Sequence, residues 1–335
     1  MGSTVYEDKI YVYAGATEGE YTTDVLEVYD PVKDQWEVKA GFTPKLQATL
    51  IAFQNKLYSF GGDDGYPNNI TLDYTEEYNP SLNQWSRKKS MPTARSRVAA
   101  VATDDYIYTI GGGTSTGKMS AAVEAYNPTT DSWIIKNPFP VASPRIRAFL
   151  VNNTVYALNY MDDNEYLYSY DQINDTWTLI DQFPAPELAY SISVSGDKIF
   201  LPDRYTLNYY DLNARKLIKC NVASLQSSSN VSQIINNKLY VIGGNNNGLD
   251  TVNELDISDI VNPGTNPTPD PDPNPDPNPT PNPDPNPTPT GNALLVIYMD
   301  SGLIKEYEMT NEEIRNFTEW YEGRAKGNGR EAYIV

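Results

Sequence analysis

The side chains best equipped for chemistry in this sequence are cations set two residues apart. Lys45 with Gln47, Arg95 with Arg97, and Arg145 with Arg147 each precede an apolar run, and Glu187 with Ala189 and Ser227 with Ser229 hold the matching places further on. A spacing of two puts both members on one face of an extended chain. The alignment counts back twelve residues from each apolar run. At Arg145 it expects a hairpin shorter by two, an even number that preserves facing. Guanidinium forks suit carboxylate or sulfate, so Arg95, Arg97, Arg145, Arg147, Lys45, Gln47 and Glu187 define a candidate site for an acidic ligand. The competing reading is that these side chains brace loops through hydrogen bonds to carbonyls.

Other chemistries fall to composition. The 335 residues include no histidine and one cysteine, Cys220, and carry a net charge of −19. Without imidazole there is no Ser-His-Asp triad and no histidine-ligated zinc or copper. One cysteine forms no internal disulfide and no thiolate cage. Strong acidity argues against nucleic acid and anionic lipid as partners. No apolar run is long enough for a membrane-spanning helix, so no membrane insertion is expected. Asp63-Asp64, Asp162-Asp163 and Asn245-Asn246-Asn247 read as solvated loops, since no Asp-x-Asp-x-Asp-Gly pattern accompanies them. No metal, cofactor or catalytic residue is assigned.

The elements that must position the cations come from an internal repeat. Tyr29, Tyr78, Tyr126 and Tyr170 each stand seven residues before a tryptophan, respectively Trp36, Trp85, Trp133 and Trp177; Tyr210 stands seven before Leu217. Asp or Asn follows each tyrosine, with Pro after the first three, so each pair reads as two strands around a tight turn. Upstream of each pair runs a short aromatic and β-branched segment, as strands are. Gly61-Gly62, Gly111-Gly112 and Gly243-Gly244 close three of these segments, Ala14-Gly15 closes the first, and the copies at Val155 and Ile199 lack glycine. Tyrosine and tryptophan supply the apolar mass for packing sheet on sheet. A four-stranded unit cannot bury both faces alone, so six copies must stack in a ring.

The diglycine, tyrosine and tryptophan pattern over residues 5–257 resembles the kelch repeat. The resemblance implies an all-β fold, a six-bladed β-propeller spanning residues 1–261, with these glycines and aromatics structural rather than catalytic. In kelch substrate adaptors, arginines in the context of Pro144-Arg145-Ile146-Arg147 line the propeller mouth and grip acidic peptides; Thr93-Ala94-Arg95-Ser96-Arg97 matches less fully. The resemblance also covers a copper oxidase, excluded here by the missing histidines, and a sialic-acid mutarotase, for which Arg97, Arg147 and Glu187 could serve. The expected function is a non-enzymatic, secreted or cell-surface, monomeric propeller of bacterial type binding a polysaccharide or a surface protein. The alternatives are a mutarotase-like enzyme and an intracellular adaptor. The first copy starts near its second strand and the sixth stops near Ile257, so the ring is expected to be open at its seam, with both seam strands, and a signal peptide, upstream of Met1.

Beyond the repeat, residues 262–292 are a linker. From Pro267 to Pro289 every second residue is proline; proline lacks the backbone donor and fixes φ, so polyproline II is expected, reaching about 70 Å at roughly 3.1 Å per residue. Residues 293–335 read as a small, truncated ββαβ module. Strands are expected at Leu294–Met299 and Leu303–Met309, then a helix capped by Thr310 and Glu313 with Ile314, Phe317 and Tyr321 on one face. The segment Ser301–Tyr307 with Phe317, Trp320 and Glu322 resembles a C-terminal module of secreted clostridial-type proteins.

Overall fold

A computed structural model describes residues 1–17, 20–143, 145–186, 191–203, 206–220, 231–243 and 251–262, and the backbone of 292–298 and 304–310. Gly244, Glu187, Asn245 to Asn247, the proline run and the tail helix lie outside the described residues. The chain divides into two compact units, Met1–Thr268 and Pro269–Val335. In the second, Asn292–Tyr298 and Ile304–Thr310 pair as an antiparallel hairpin.

The first unit is a ring of six antiparallel sheets. Blade 1 comprises β1 (Gly2–Tyr6), β2 (Lys9–Thr17), β3 (Glu20–Asp30) and β4 (Gln35–Lys39); blade 2, β5 (Thr49–Phe53), β6 (Lys56–Phe60), β7 (Thr75–Asn79) and β8 (Gln84–Arg87). Blade 3 comprises β9 (Ala99–Ala102), β10 (Ile107–Ile110), β11 (Val123–Asn127) and β12 (Ser132–Lys136); blade 4, β13 (Ile146–Val151), β14 (Thr154–Met161), β15 (Asn164–Asp171) and β16 (Thr176–Pro184). Blade 5 comprises β17 (Ser193–Ser195), β18 (Lys198–Pro202), β19 (Leu207–Asp211) and β20 (Lys216–Cys220). Blade 6 has three described strands, β21 (Val231–Ile235), β22 (Lys238–Ile242) and β23 (Val252–Asp256), followed by a helical turn, α1 (Ser258–Val261). The expectation of two missing seam strands is therefore corrected. Gly2–Tyr6 forms a full inner strand in register with β2, because Ser3 to Tyr6 already has the strand pattern that an isolated Thr4-Val5 was taken for. Only blade 6 is short among the described residues.

The core lies between blades, one apolar cluster per interface. Leu26 and Tyr13 meet Leu57 and Tyr78 between blades 1 and 2. Phe60 meets Tyr126 between blades 2 and 3, and Tyr108 meets Tyr170 between blades 3 and 4. Phe183 stacks on Tyr210 between blades 4 and 5. Phe200 meets Leu239 and Ile257 between blades 5 and 6, and Tyr29 meets Tyr240 at the seam. Gln233 Nε2 also donates to Ser3 Oγ across the seam, at 2.9 Å. Side chains thus join blade 6 to blade 1 across the seam.

The seven-residue spacing has a geometric cause. In each of the first five blades the tyrosine faces its tryptophan, or Leu217, directly across the outer pair of strands. The turn between them is held by an Asx acceptor: Asp30, Asn79, Asn127, Asp171 and Asp211 each accept from backbone N–H groups two or three residues on. The corner residue before the outer strand is left-handed, at φ 47 to 55°, in Asp34, Asn83, Asp131, Asp175 and Arg215. Asn83 takes the hydroxyl of Tyr78 and the backbone N–H of Ala40 from blade 1, at 2.8 and 2.9 Å. Asp131 does the same with Tyr126 and Lys89, and Asp175 with Tyr170 and Asn137. Burial and the neighbouring carboxylate push the Tyr126 and Tyr170 hydroxyls well above their usual range.

The tryptophans are wedges rather than core residues, since they sit on the outermost strand. Trp85 packs on Tyr13 of blade 1 at 4.6 Å and donates Nε1 to Ala40 O at 2.6 Å. Trp133 likewise meets Phe60 and Lys89 O of blade 2. Trp36 has only its own blade's Tyr29 and stays 42% exposed. Trp85→Ala is expected to cost about 3 kcal/mol and Trp36→Ala about 1 or less, read from urea unfolding; equal costs would contradict the wedge.

The diglycine is where one blade lets the next one in. A Cβ on Gly61, at φ +58°, would stand 2.1 Å from the carbonyl oxygen of Arg95 in blade 3. At Gly117 φ is also positive, at +75°, but nothing lies within 4 Å. Gly61→Ala is expected to destabilise by about 3 kcal/mol or more and Gly117→Ala by about 1. Parallel thermal melts check this, and similar shifts would remove the steric argument.

Candidate functional site

In blades 2, 3 and 4 the inner strand is entered by a connector, and at the same end the second strand crosses to the third. This end is the mouth. Two-rung ladders tie the parts together: Leu46 bridges Asp63, which bridges Thr71, and Ser96 bridges Gly113, which bridges Met119. Neighbouring blades are linked by Gly15 N–H to Lys45 O, Gly62 N–H to Arg95 O and Arg97 N–H to Gln47 O, at 2.9 to 3.0 Å.

In blades 2 and 3 the first member of the pair is turned inward, and in blade 4 the second, Arg147. Lys45 is fully buried, with Nζ 2.6 Å from Glu76, which also faces Arg87 at 3.2 Å. Burial lowers the Lys45 pKa while Glu76 pulls it back up. Arg95 is fully buried and reaches Glu124 at 2.6 Å, Thr109 Oγ1 at 2.9 Å, and the carbonyls of Gly111 and Ala122. Burial pushes the Arg95 guanidinium down, opposed by Glu124. Arg147 is buried against Glu165 of β15. These three belong to the bracing reading: each cation is spent on a carboxylate of its own blade's third strand.

The register assumed for the fourth copy is corrected. All six inner hairpins have two-residue turns, at Glu7-Asp8, Gln54-Asn55, Asp104-Asp105, Asn152-Asn153, Gly196-Asp197 and Asn236-Asn237. The copy of blade 4 is not shortened, so Ser143 holds the place of Lys45 and Arg95, and Arg145 that of Gln47 and Arg97. Ser143 is buried. Arg147 lies two residues further on, inside β13, and its partner has moved with it to Glu165. Asn159 and Tyr160 occupy the diglycine positions, and β14 and β15 run on as long strands to a turn at Asp162-Asp163. There Asp163 Oδ1 accepts from the Tyr160 hydroxyl at 2.8 Å.

The second position is what faces outward. Gln47 and Arg97 are left-handed, at φ 54° and 56°, a conformation costly for residues other than glycine. Arg97 is exposed, and its Nε donates to Gln47 Oε1 at 2.7 Å. That bond fixes the guanidinium plane, and neither terminal nitrogen has a partner among the described residues. Arg145 lies over the Tyr160 ring at 4.2 Å. Near Arg97, burial raises the Asp63 carboxyl while Arg97 opposes the rise. Beside this rim, the crossing loops of blades 2 and 3 expose Tyr66, Ile70 and Met119, and Ser115 N–H joins the loops through Thr71 Oγ1. Sequence reasoning missed these apolar residues because loops carry no periodicity.

Elsewhere the site inventory is thin. Among the described residues no group of three acidic or sulfur side chains is placed to hold a metal, and no helix is long and apolar enough to cross a membrane. Cys220 is half-buried, and burial pushes its thiol up, away from thiolate reactivity.

Comparison with known proteins agrees with this geometry. The family described as the KLHDC2/KLHL20/DRC7 Kelch-repeats domain matches residues 2–203, so the chain belongs to the Kelch-repeat domain family. Human Kelch-like protein 23 is 29% identical over 107 residues, which cover 32% of this chain and 19% of that protein. Beta-scruin of Limulus polyphemus is 34% identical over 102 residues, covering 29% of this chain and 11% of its own. The chain thus spans a fifth or less of the length of these curated relatives. A solved structure, "Structure of YjhT", superposes with a TM-score of 0.63 at 16% identity, covering 76% of this chain and 93% of that one, a likeness of fold. Kelch propellers generally bind proteins.

Breaking a buried pair leaves the partner charge stranded, at about 3–5 kcal/mol. Arg95→Ala is expected to cost that much and Arg97→Ala about 0.5 or less, by chemical denaturation. Comparable losses at both would place Arg97 among the braces.

Proposed function

We propose that the propeller is a non-catalytic binding module that receives an acidic protein segment at its mouth, with Arg97 as the principal contact and Gln47 and Arg145 beside it. The observation that carries this reading is the Arg97 guanidinium, held by Gln47 on a strained backbone with its fork turned to solvent. A preset fork loses little freedom on meeting a carboxylate. Tyr66, Ile70 and Met119 supply the apolar contact that charge alone does not. The acidic linker and the resemblance of the tail support display outside the cell, on a spacer. A mutarotase-like activity finds less support, because Arg147 is committed to Glu165. An acidic polysaccharide would engage the same fork, but the exposed tyrosine, isoleucine and methionine favour a polypeptide.

The test is a peptide array of Asp/Glu-rich segments and their Lys-substituted counterparts, probed with the full chain, with polygalacturonate as a further arm. Saturable binding to acidic peptides is expected, weakened by salt and reduced about tenfold or more by Arg97→Glu, with an unchanged melting temperature. Binding that ignores Arg97→Glu, or that prefers the Lys-substituted set, would overturn the proposal; binding only to the polysaccharide would replace the protein ligand by a glycan.

A further inference from the structure

Blade 6 departs from the others at one step. Leu255 stands across from Leu239 as Tyr78 stands across from Leu57, so β23 occupies the tyrosine-bearing third-strand place. Asp256 accepts from Ser258 N–H at 2.8 Å, repeating the Asx turn that in five blades leads into the outer strand. The chain then makes α1 instead. Ile260 and Val261 pack on the cluster between blades 5 and 6, where an outer-strand wedge would sit. No described strand lies along the outer side of β23. The proline run that follows in sequence lacks alternate backbone donors and is unsuited to fill it.

The complete blades show what this edge is shaped to take. Three of the five outer strands place a lysine three residues after the tryptophan: Lys39 after Trp36, Lys88 after Trp85, Lys136 after Trp133. In blade 2 Lys88 reaches Glu77 of the third strand at 3.1 Å, and Glu77 also accepts from Tyr58. Glu254 is the counterpart of Glu77, and Tyr240 the counterpart of Tyr58. Glu254 is exposed and faces Lys238 of its own blade. On the neighbouring side, Trp36 Nε1 has among the described residues no preceding-blade carbonyl like those to which Trp85 and Trp133 donate, and it is the exposed member of the set.

We propose that the outer edge of β23, with Glu254 and Trp36, is a second docking site, on the flank of the ring, which accepts in trans an extended segment of a partner protein carrying an apolar-x-x-Lys pattern. The segment adds to blade 6 as its fourth strand: main-chain pairing along β23 gives affinity, its lysine answers Glu254, and its far end covers Trp36. This site is independent of Arg97 and the mouth.

The probe is a blocked heptapeptide with the sequence of 131–137, with leucine in place of its tryptophan so that only the protein's own indoles report. Titrated into the full chain, it is expected to bind saturably, protect the β23 amides from hydrogen exchange and shift tryptophan emission to the blue. The shift should vanish in Trp36→Phe while binding remains. Glu254→Lys should weaken binding about tenfold and restore it for a peptide with glutamate in place of lysine. β23 amides already protected in the chain alone, no binding, or binding indifferent to Glu254→Lys would each overturn the proposal, the first by showing that the chain covers its own edge.

Discussion

The interaction on which the ring depends is the corner residue that ends each third-to-fourth strand turn. In blades 2, 3 and 4 a left-handed Asp or Asn there accepts the hydroxyl of its own blade's tyrosine and a backbone N–H of the preceding blade, and in blade 1 Asp34 accepts the Tyr29 hydroxyl. One side chain thereby fixes the turn, the aromatic register and the blade-to-blade distance. It adds direction at the outer edge, where the apolar faces between blades are non-directional, and the tryptophan Nε1 bonds to Ala40 O and Lys89 O act beside it. The exceptions follow the same logic. Blade 5 has Arg215 at the corner and cannot accept; there Tyr210 donates instead to Asp181 of blade 4. Blade 6 has Leu255 for tyrosine and, among the described residues, no corner and no outer strand.

With blade spacing fixed, the connectors must fit, and their fit explains the charges. The connector into blade 3 passes so close to blade 2 that glycine is needed opposite it, at Gly61 beneath the Arg95 carbonyl. A long cation reaching back into its own blade then holds the connector down. Buried ion pairs bring little net stability but penalise the wrong partner heavily, so Lys45–Glu76 and Arg95–Glu124 specify register more than they strengthen it. The strain at Gln47 and Arg97 is carried by the same connectors two residues later.

The fold was legible in the sequence because its signals are local and repeated. Tyr29 to Trp36 and its successors encode a turn of fixed length, and Gly61-Gly62 and Gly111-Gly112 encode close approach. The site was legible only in residue type. Arg95 and Arg97 look alike as letters, yet one is sealed in the blade and the other stands in solvent, since a spacing of two on an extended chain predicts a shared face only if both residues are extended. Arg97, at φ 56°, is not. The same left-handed turn could not be read at Gln47, as neither residue is of the type that signals it. In blade 4 the register was misjudged because Pro144-Arg145-Ile146-Arg147 invited an alignment by motif, whereas the two-residue turn at Asn152-Asn153 fixes the count.

Departure from the repeat also creates the asymmetry that recognition requires. A ring of identical blades would present six equal rims and could not orient a ligand. Here blade 2 offers Gln47, blade 3 the oriented Arg97, and blade 4 an arginine laid over Tyr160, a tyrosine where the diglycine blades have glycine. Replacing that diglycine by Asn159-Tyr160 lengthened β14 and β15, turned the chain at Asp162-Asp163, and moved the buried pair from the connector into β13. Arg145 thus takes in blade 4 the place that Arg97 has in blade 3 and lies over the Tyr160 ring. Among the described residues, Arg97 stands beside the loops of blades 2 and 3 that expose Tyr66, Ile70 and Met119, so the rim is unequal from blade to blade.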